Sequence, residues 1–338
     1  MTAIHASSAT RSRSGARRRS IAAPRGFTLT ELLIVIALIV LLITLLLAAL
    51  DAVQDKARET RTMATMQAFT NASNAFQQEQ GFYPGVVPEH ILAWDASNNE
   101  DGLPGISGTE NAMLHLTGGY IREDDVTDTE WDAYAGQVYV FDTPSGGFYR
   151  IKVDFADIGE GPTINGKAYP PYFTPGEKEF AAAKGQVGPT GFGQQQRALP
   201  DVIDAWGQPI AFLRRMRTVG PLTAENLSLR PQFDAAPLRS YTRSGGLGRL
   251  NRDQAEMSIL NTTSDAVQTL ARIVEHPSLP GQARGAFMLL SAGPDAIFLS
   301  REDGPGSPET PVDDIYDPDV YPKNVIEEYD DVLMFGGD

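Results

Sequence analysis

One acid stands where acids are costly. Glu31 interrupts the apolar run Phe27-Thr28-Leu29-Thr30-Glu31-Leu32-Leu33-Ile34-Val35. A carboxylate in a membrane segment costs roughly 2.5–3.5 kcal/mol at the centre and less near the end. Position alone leaves two readings. Glu31 lies at an interface and stays solvated, or it pairs with a specific cation. The other concentration of ionisable groups is at the far end. From Asp295 to Asp331 the chain holds twelve Asp and Glu against Arg301 and Lys323. Clustered carboxylates with Gly and Pro could supply the oxygens that Ca²⁺ takes, 6–8 in number, or they could form a solvated tail that keeps the protein soluble. No EF-hand spacing occurs.

Enzyme chemistry has little to work with. The four histidines, His5, His90, His115 and His276, are scattered, and none has metal-ligand spacing. The sequence has no Gly-X-Ser-X-Gly elbow, phosphate loop or dinucleotide fingerprint. It has no cysteine, which excludes disulfides, thiolate metal sites and Cys nucleophiles. A glycosidase-like carboxylate pair is the one enzyme reading that the abundance of acids leaves open. No catalytic residue is assigned and the chain is not read as an enzyme.

These groups need elements to hold them. Leu32 to Leu50 is a run of 19 residues without charge, about 29 Å long as a helix and close to a bilayer's hydrocarbon thickness. Six Arg and no acid precede it in residues 1–26, so the rest carries 22 basic and 43 acidic residues. The Arg cluster predicts a cytoplasmic N-terminus with the bulk across the membrane. So acidic a body repels phosphate backbones, which speaks against nucleic acid as a partner. Helical character continues past the apolar run, where Val53, Ala57, Ala64, Phe69, Ala72 and Phe76 approximate a stripe and Asp55 and Arg58 are spaced for an i,i+3 pair. Gly81-Phe82-Tyr83-Pro84-Gly85 reads as the stop.

Further on, Glu110–Leu116 reads as a short helix. Gln137–Phe141 and Phe148–Phe155 alternate like strands around the hairpin signature Pro144-Ser145-Gly146-Gly147. Residues 156–198 are rich in Gly and Pro, and Gly185–Gly191 is too short a run to be collagen. In Asp204-Ala205-Trp206-Gly207-Gln208-Pro209, Trp206 offers a large anchor and Gly207 and Pro209 shape a turn into a strand. Asp265–His276 reads as a helix, and Phe287–Asp295 as a strand running into a turn.

The stretch Arg25-Gly26-Phe27-Thr28-Leu29-Thr30-Glu31-Leu32-Leu33 resembles the N-terminal signal of type IV prepilins and of type II secretion pseudopilins. The resemblance implies cleavage by a prepilin peptidase between Gly26 and Phe27 and N-methylation of Phe27. It also implies that Glu31 neutralises the Phe27 amine of a neighbouring subunit during assembly. Burial in lipid makes such a partner necessary. Glu79-Gln80-Gly81-Phe82-Tyr83-Pro84, Gly118-Gly119-Tyr120-Ile121, the tryptophan turn and Phe287–Asp295 are similar to segments of major pseudopilins, in the same order. In those proteins the C-terminal loop binds calcium. The matching positions here are Asp295, Asp330 and Asp331, with Asp313-Asp314 as an alternative second arm.

The expected fold is α+β, a long N-terminal helix packed on a small antiparallel sheet. The expected organisation is a basic leader over 1–26, a long helix over 27–80 with its membrane span at about 27–50, and an extracytoplasmic domain over 81–338. Insertions are placed at about 156–198 and 215–285. The expected role is a structural subunit of a type II secretion pseudopilus in the bacterial inner membrane, single-pass, with its C-terminal domain periplasmic. Its expected partners are other pilin-like subunits and itself, the prepilin peptidase, the inner-membrane assembly platform and membrane lipid. Two rivals stand beside it: a type IV pilus subunit, and an exported enzyme or binding protein with an ordinary signal cut near Ala48–Ala52.

Overall fold

The structure is a computed structural model, and it describes residues 28–98, 106–176, 179–181, 199, 201–216, 222, 232–233, 258, 273–276, 278–300, 302 and 329–337. Contacts divide the chain into two units, Met1–Ala52 and Val53–Asp338. The helix α1, Leu29–Gln80, supplies residues to both.

In the first unit every large apolar side chain from Leu29 to Ile43 is exposed, from 44% at Val35 to 77% at Leu29. Leu, Ile and Val sit on all sides of the helix, so this stretch has no polar face to turn toward water. Among the described residues no helix is long and apolar enough to cross a membrane. The uncharged run Leu32–Leu50 includes residues 45–49, whose side chains lie outside the described residues.

In the second unit α1 buries Thr62, Thr65, Met66, Phe69, Thr70, Ala72, Ser73 and Phe76. This stripe sits lower on the helix than the sequence suggested: Val53, Ala57 and Ala64 are exposed, while Phe69, Ala72 and Phe76 are buried. The helix stops after Gln80, where Gly81 takes φ +83° and donates to Gln77 O at 2.7 Å. A positive φ costs glycine least, which makes it the usual residue past a helix end.

There follow α2 (Glu89–Asn98), α3 (Gly108–Thr117) and, after strand β1 (Tyr120–Arg122), α4 (Asp128–Ala133). Ser107 with Glu110 and Thr127 with Glu130 make capping boxes that start α3 and α4. β2 (Gln137–Asp142) and β3 (Phe148–Val153) form an antiparallel hairpin, and β1 pairs on the other side of β3. One face of this sheet buries Tyr120, Tyr139, Phe141, Ile151 and Val153 against Ile91 and Leu92 of α2 and Leu114 of α3.

Two short pairs lie in the expected insertion at 156–198: β4 (Thr163–Ile164) with β5 (Lys167–Ala168), and β6 (Phe180–Ala181) with β7 (Asp201–Val202), which lies just beyond it. Residues 182–198, including Gly185–Gly191, lie outside the described residues. β8 is Ala211–Arg214. Most of 215–285 is also outside, including 265–272 of the helix expected at Asp265–His276, of which 273–274 are helical. Within it, Glu275–His276 is a strand, β9, paired with β10 (Leu279–Ala283).

The last sheet has the order β12-β11-β8, with β11 (Phe287–Ser291) central and β12 (Val332–Gly336) at one edge, all antiparallel. All five residues of β11 are buried. Successive side chains of a strand point to opposite faces. Phe287 and Leu289 therefore join the cluster holding Met66, Phe69 and Phe76, and Met288 and Leu290 join that of Ile273, Val274 and Phe298. A strand covered on both faces can be apolar throughout. The architecture is thus helix mixed with small antiparallel sheets.

Candidate functional site

The site begins at the first turn of α1. Thr28 precedes the helix, and its N–H and hydroxyl both donate to Glu31 Oε2, at 2.8 and 2.9 Å. The Glu31 N–H returns a 3.2 Å bond to Thr28 Oγ1. This is a capping box, two orphan donors of the helix start satisfied reciprocally. Beyond the solvated or intermolecularly paired acid expected above, Glu31 thus has a local partner. The Thr-X-X-Glu spacing was legible and signalled this local role as well. Gly26 and Phe27 lie outside the described residues.

The second constellation is the tryptophan turn. Asp204 is buried, and its Oδ1 accepts from the N–H groups of Trp206 and Gln208 at 2.9 and 2.8 Å. Its Oδ2 accepts from the Ser291 hydroxyl at 2.7 Å. Ala205 N–H donates to Thr62 Oγ1 of α1 at 3.0 Å, and Trp206 packs against the cluster of Phe69 and Phe76. One aspartate thus ties the turn to itself and to the end of β11, and the turn is tied to α1 beside it. Asp204 was not singled out from sequence. Its place at the head of an Asp-X-X-Gly turn is the signal that could have found it.

The third is the C-terminal acidic region. Asp295 Oδ1 accepts from Ile297 N–H at 2.8 Å, and both oxygens of Asp331 accept from Leu299 N–H at 3.1 and 3.0 Å. Gly293, with φ +64°, lies against Asp330: a Cβ there would fall 2.8 Å from Asp330 O. Asp330 and Asp331 therefore meet the turn that contains Asp295. Among the described residues no group of three or more His, Cys, Asp or Glu side chains could hold a metal ion. As placed, the Asp295 and Asp331 carboxylates each accept from a backbone N–H. Asp313 and Asp314 lie outside the described residues.

Burial shapes the remaining electrostatics. His115 is buried, accepts from Gly85 N–H at Nδ1 (2.8 Å), and stacks near Phe76 and Tyr120. Burial, with the Arg214 and Arg122 charges adding to it, holds its pKa well below the usual imidazole value. Arg214 forms a largely buried ion pair with Glu89, Nε to Oε1 at 3.3 Å, and donates to Tyr83 O at 2.6 Å. It thereby joins β8 to the segment following α1. His90 is exposed and His276 half-buried, in separate elements. Glu110 of α3 lies beside Asp201 of β7, and burial raises the pKa of both carboxyls, Asp201 more strongly.

No family model, no curated protein and no solved structure matches the chain.

Proposed function

We propose that the protein is a structural, non-catalytic subunit of a type II secretion pseudopilus, processed between Gly26 and Phe27 and assembled through the N-terminal part of α1. The observation that carries the reading is a helix whose apolar side chains from Leu29 to Ile43 are all exposed, with Glu31 as the one acid in its first turn. Water does not tolerate so continuous an apolar surface, whereas lipid or other copies of the same helix would cover it. In either setting a carboxylate needs a positive partner. The Phe27 amine released by cleavage meets that need, and Arg25-Gly26-Phe27 carries the resemblance to the processing signal. The mature subunit waits in the inner membrane with its second unit in the periplasm, then joins other pilin-like subunits on the assembly platform.

The secretion label rests on the tryptophan turn and the acidic region rather than on α1. Calcium belongs to this proposal only if residues beyond Asp295, Asp330 and Asp331 complete its oxygens. The test of assembly is Glu31→Gln, which removes the charge and keeps the shape. Membrane insertion and leader removal should persist, while cross-linked multimers should be lost. Multimers at the unchanged level in Glu31→Gln would overturn the assembly role.

A further inference from the structure

The start of α3 is docked on the β7–β8 segment by polar groups in an apolar setting. Thr109, fully buried, donates to Ile210 O at 2.6 Å. One residue on, Glu110 closes the capping box: it accepts from Ser107 N–H at 2.7 Å, and its own N–H donates to Ser107 Oγ at 3.1 Å. Asp201 of β7 faces it with 4% of its surface exposed. Asp201 Oδ1 has no hydrogen-bond partner and is closed off from solvent. Leu114 and Leu116 of α3, Val202 next to Asp201 in β7, and Ile210 are all buried.

Among the described residues the charged groups of neighbouring elements do not neutralise this pair. Glu179, at the head of β6, is another acid, and it faces Arg61 of α1 at 3.9 Å and accepts from Gly176 N–H. Arg214 of β8 is committed to Glu89 and to Tyr83 O. His115 of α3 points its Nδ1 at Gly85 N–H. Asp201 is closed off from solvent and Glu110 is half-buried; repulsion from a neighbouring carboxylate adds to the burial penalty on Asp201 and disfavours ionising both. One proton removes one charge and turns an unpartnered oxygen into a donor.

We propose that Glu110 and Asp201 share one proton in the folded protein and act as a proton-closed latch between the start of α3 and β7. Glu110, already accepting from Ser107 N–H, is the ionised member and Asp201 carries the proton. Loss of that proton leaves two adjacent negative charges and frees the start of α3 from β7. The closed state holds one proton more than the open state, so the latch weakens as pH rises. The inference does not depend on the pseudopilus reading.

The test uses the full-length protein in detergent. Hydrogen-exchange protection of residues 108–117 is measured from pH 5 to pH 9, together with the infrared carbonyl band of a protonated carboxyl. In the native protein, protection factors should fall about tenfold per pH unit once the shared proton titrates, as one-proton linkage requires. The protonated-carboxyl band should vanish over the same range. Asp201→Asn should keep α3 protected and pH-independent and should lack the Asp201 band. Glu110→Gln, a second neutral variant in case the first does not fold, should flatten the same profile. A native protein with no protonated-carboxyl band at pH 6, or variants that keep the native slope, would overturn the latch.

Discussion

The Ser291 hydroxyl donates to Asp204 Oδ2 at 2.7 Å, joining the end of the central strand to the tryptophan turn across 87 positions of sequence. Because Asp204 Oδ1 serves Trp206 and Gln208 as well, three donors depend on one buried carboxylate. A buried donor left without an acceptor costs about 1–3 kcal/mol. Asp204→Ala should therefore lower the unfolding free energy by at least about 3 kcal/mol in a urea titration. Asp204→Asn, which keeps one acceptor oxygen, should lose less.

Gly118 takes φ +84° and ψ −158°, a region open essentially to glycine alone. A Cβ there would lie 2.1 Å from Gly161 O, a backbone atom that cannot move aside cheaply. Strain of this kind costs about 1–3 kcal/mol before the clash is counted. Gly118→Ala should lower Tm more than Gly146→Ala, whose glycine also has positive φ but open space around it. Equal shifts in thermal melts would show that the close approach to Gly161 does not matter.

His115 predicts an acid limb. Its folded pKa is depressed, so below the unfolded value of about 6.5 the unfolded chain binds the extra proton and the folded state does not. Stability is present above that pH and is lost as pH falls through it. The stability difference between wild type and His115→Gln should shrink steadily from pH 7 to pH 5. A constant difference would mean that the histidine does not titrate on unfolding. The Glu110–Asp201 pair has the opposite sign, since its raised pKa values lose stability as pH rises.

Asp331 accepts from Leu299 N–H with both oxygens, a cap that needs no cation. Asp331→Ala should therefore cost about 1–3 kcal/mol in a thermal melt with a calcium chelator present. A loss that appears only with added Ca²⁺ would assign the carboxylate to the metal instead.

What the sequence revealed and what it concealed have physical causes. The long helix, its end before Gly81 and the β2–β3 hairpin rest on periodicity and on glycine and proline, which are local signals. The Asp55–Arg58 pair was legible for the same reason, and its ions stand 3.1 Å apart. The buried stripe was placed too high because Val53, Ala57 and Ala64 fit the period as well as Phe69 does. Periodicity cannot tell which turns of a helix the body covers. The Glu110–Asp201 and Asp204–Ser291 pairs join residues 91 and 87 positions apart, and no local pattern announces such a meeting. Glu31 was noticed for its charge, yet its bond to Thr28 was written in the Thr-X-X-Glu spacing.

The proposed function requires that the chain be cut before Phe27 and work through the exposed apolar helix that follows. Mass spectrometry of the N-terminus, on protein extracted from membranes of cells with an active prepilin peptidase, tests it most directly. The account predicts a mature chain that begins with N-methylated Phe27 and lacks residues 1–26. A mature chain beginning near Asp51, or one that keeps the leader intact in those cells, would contradict it.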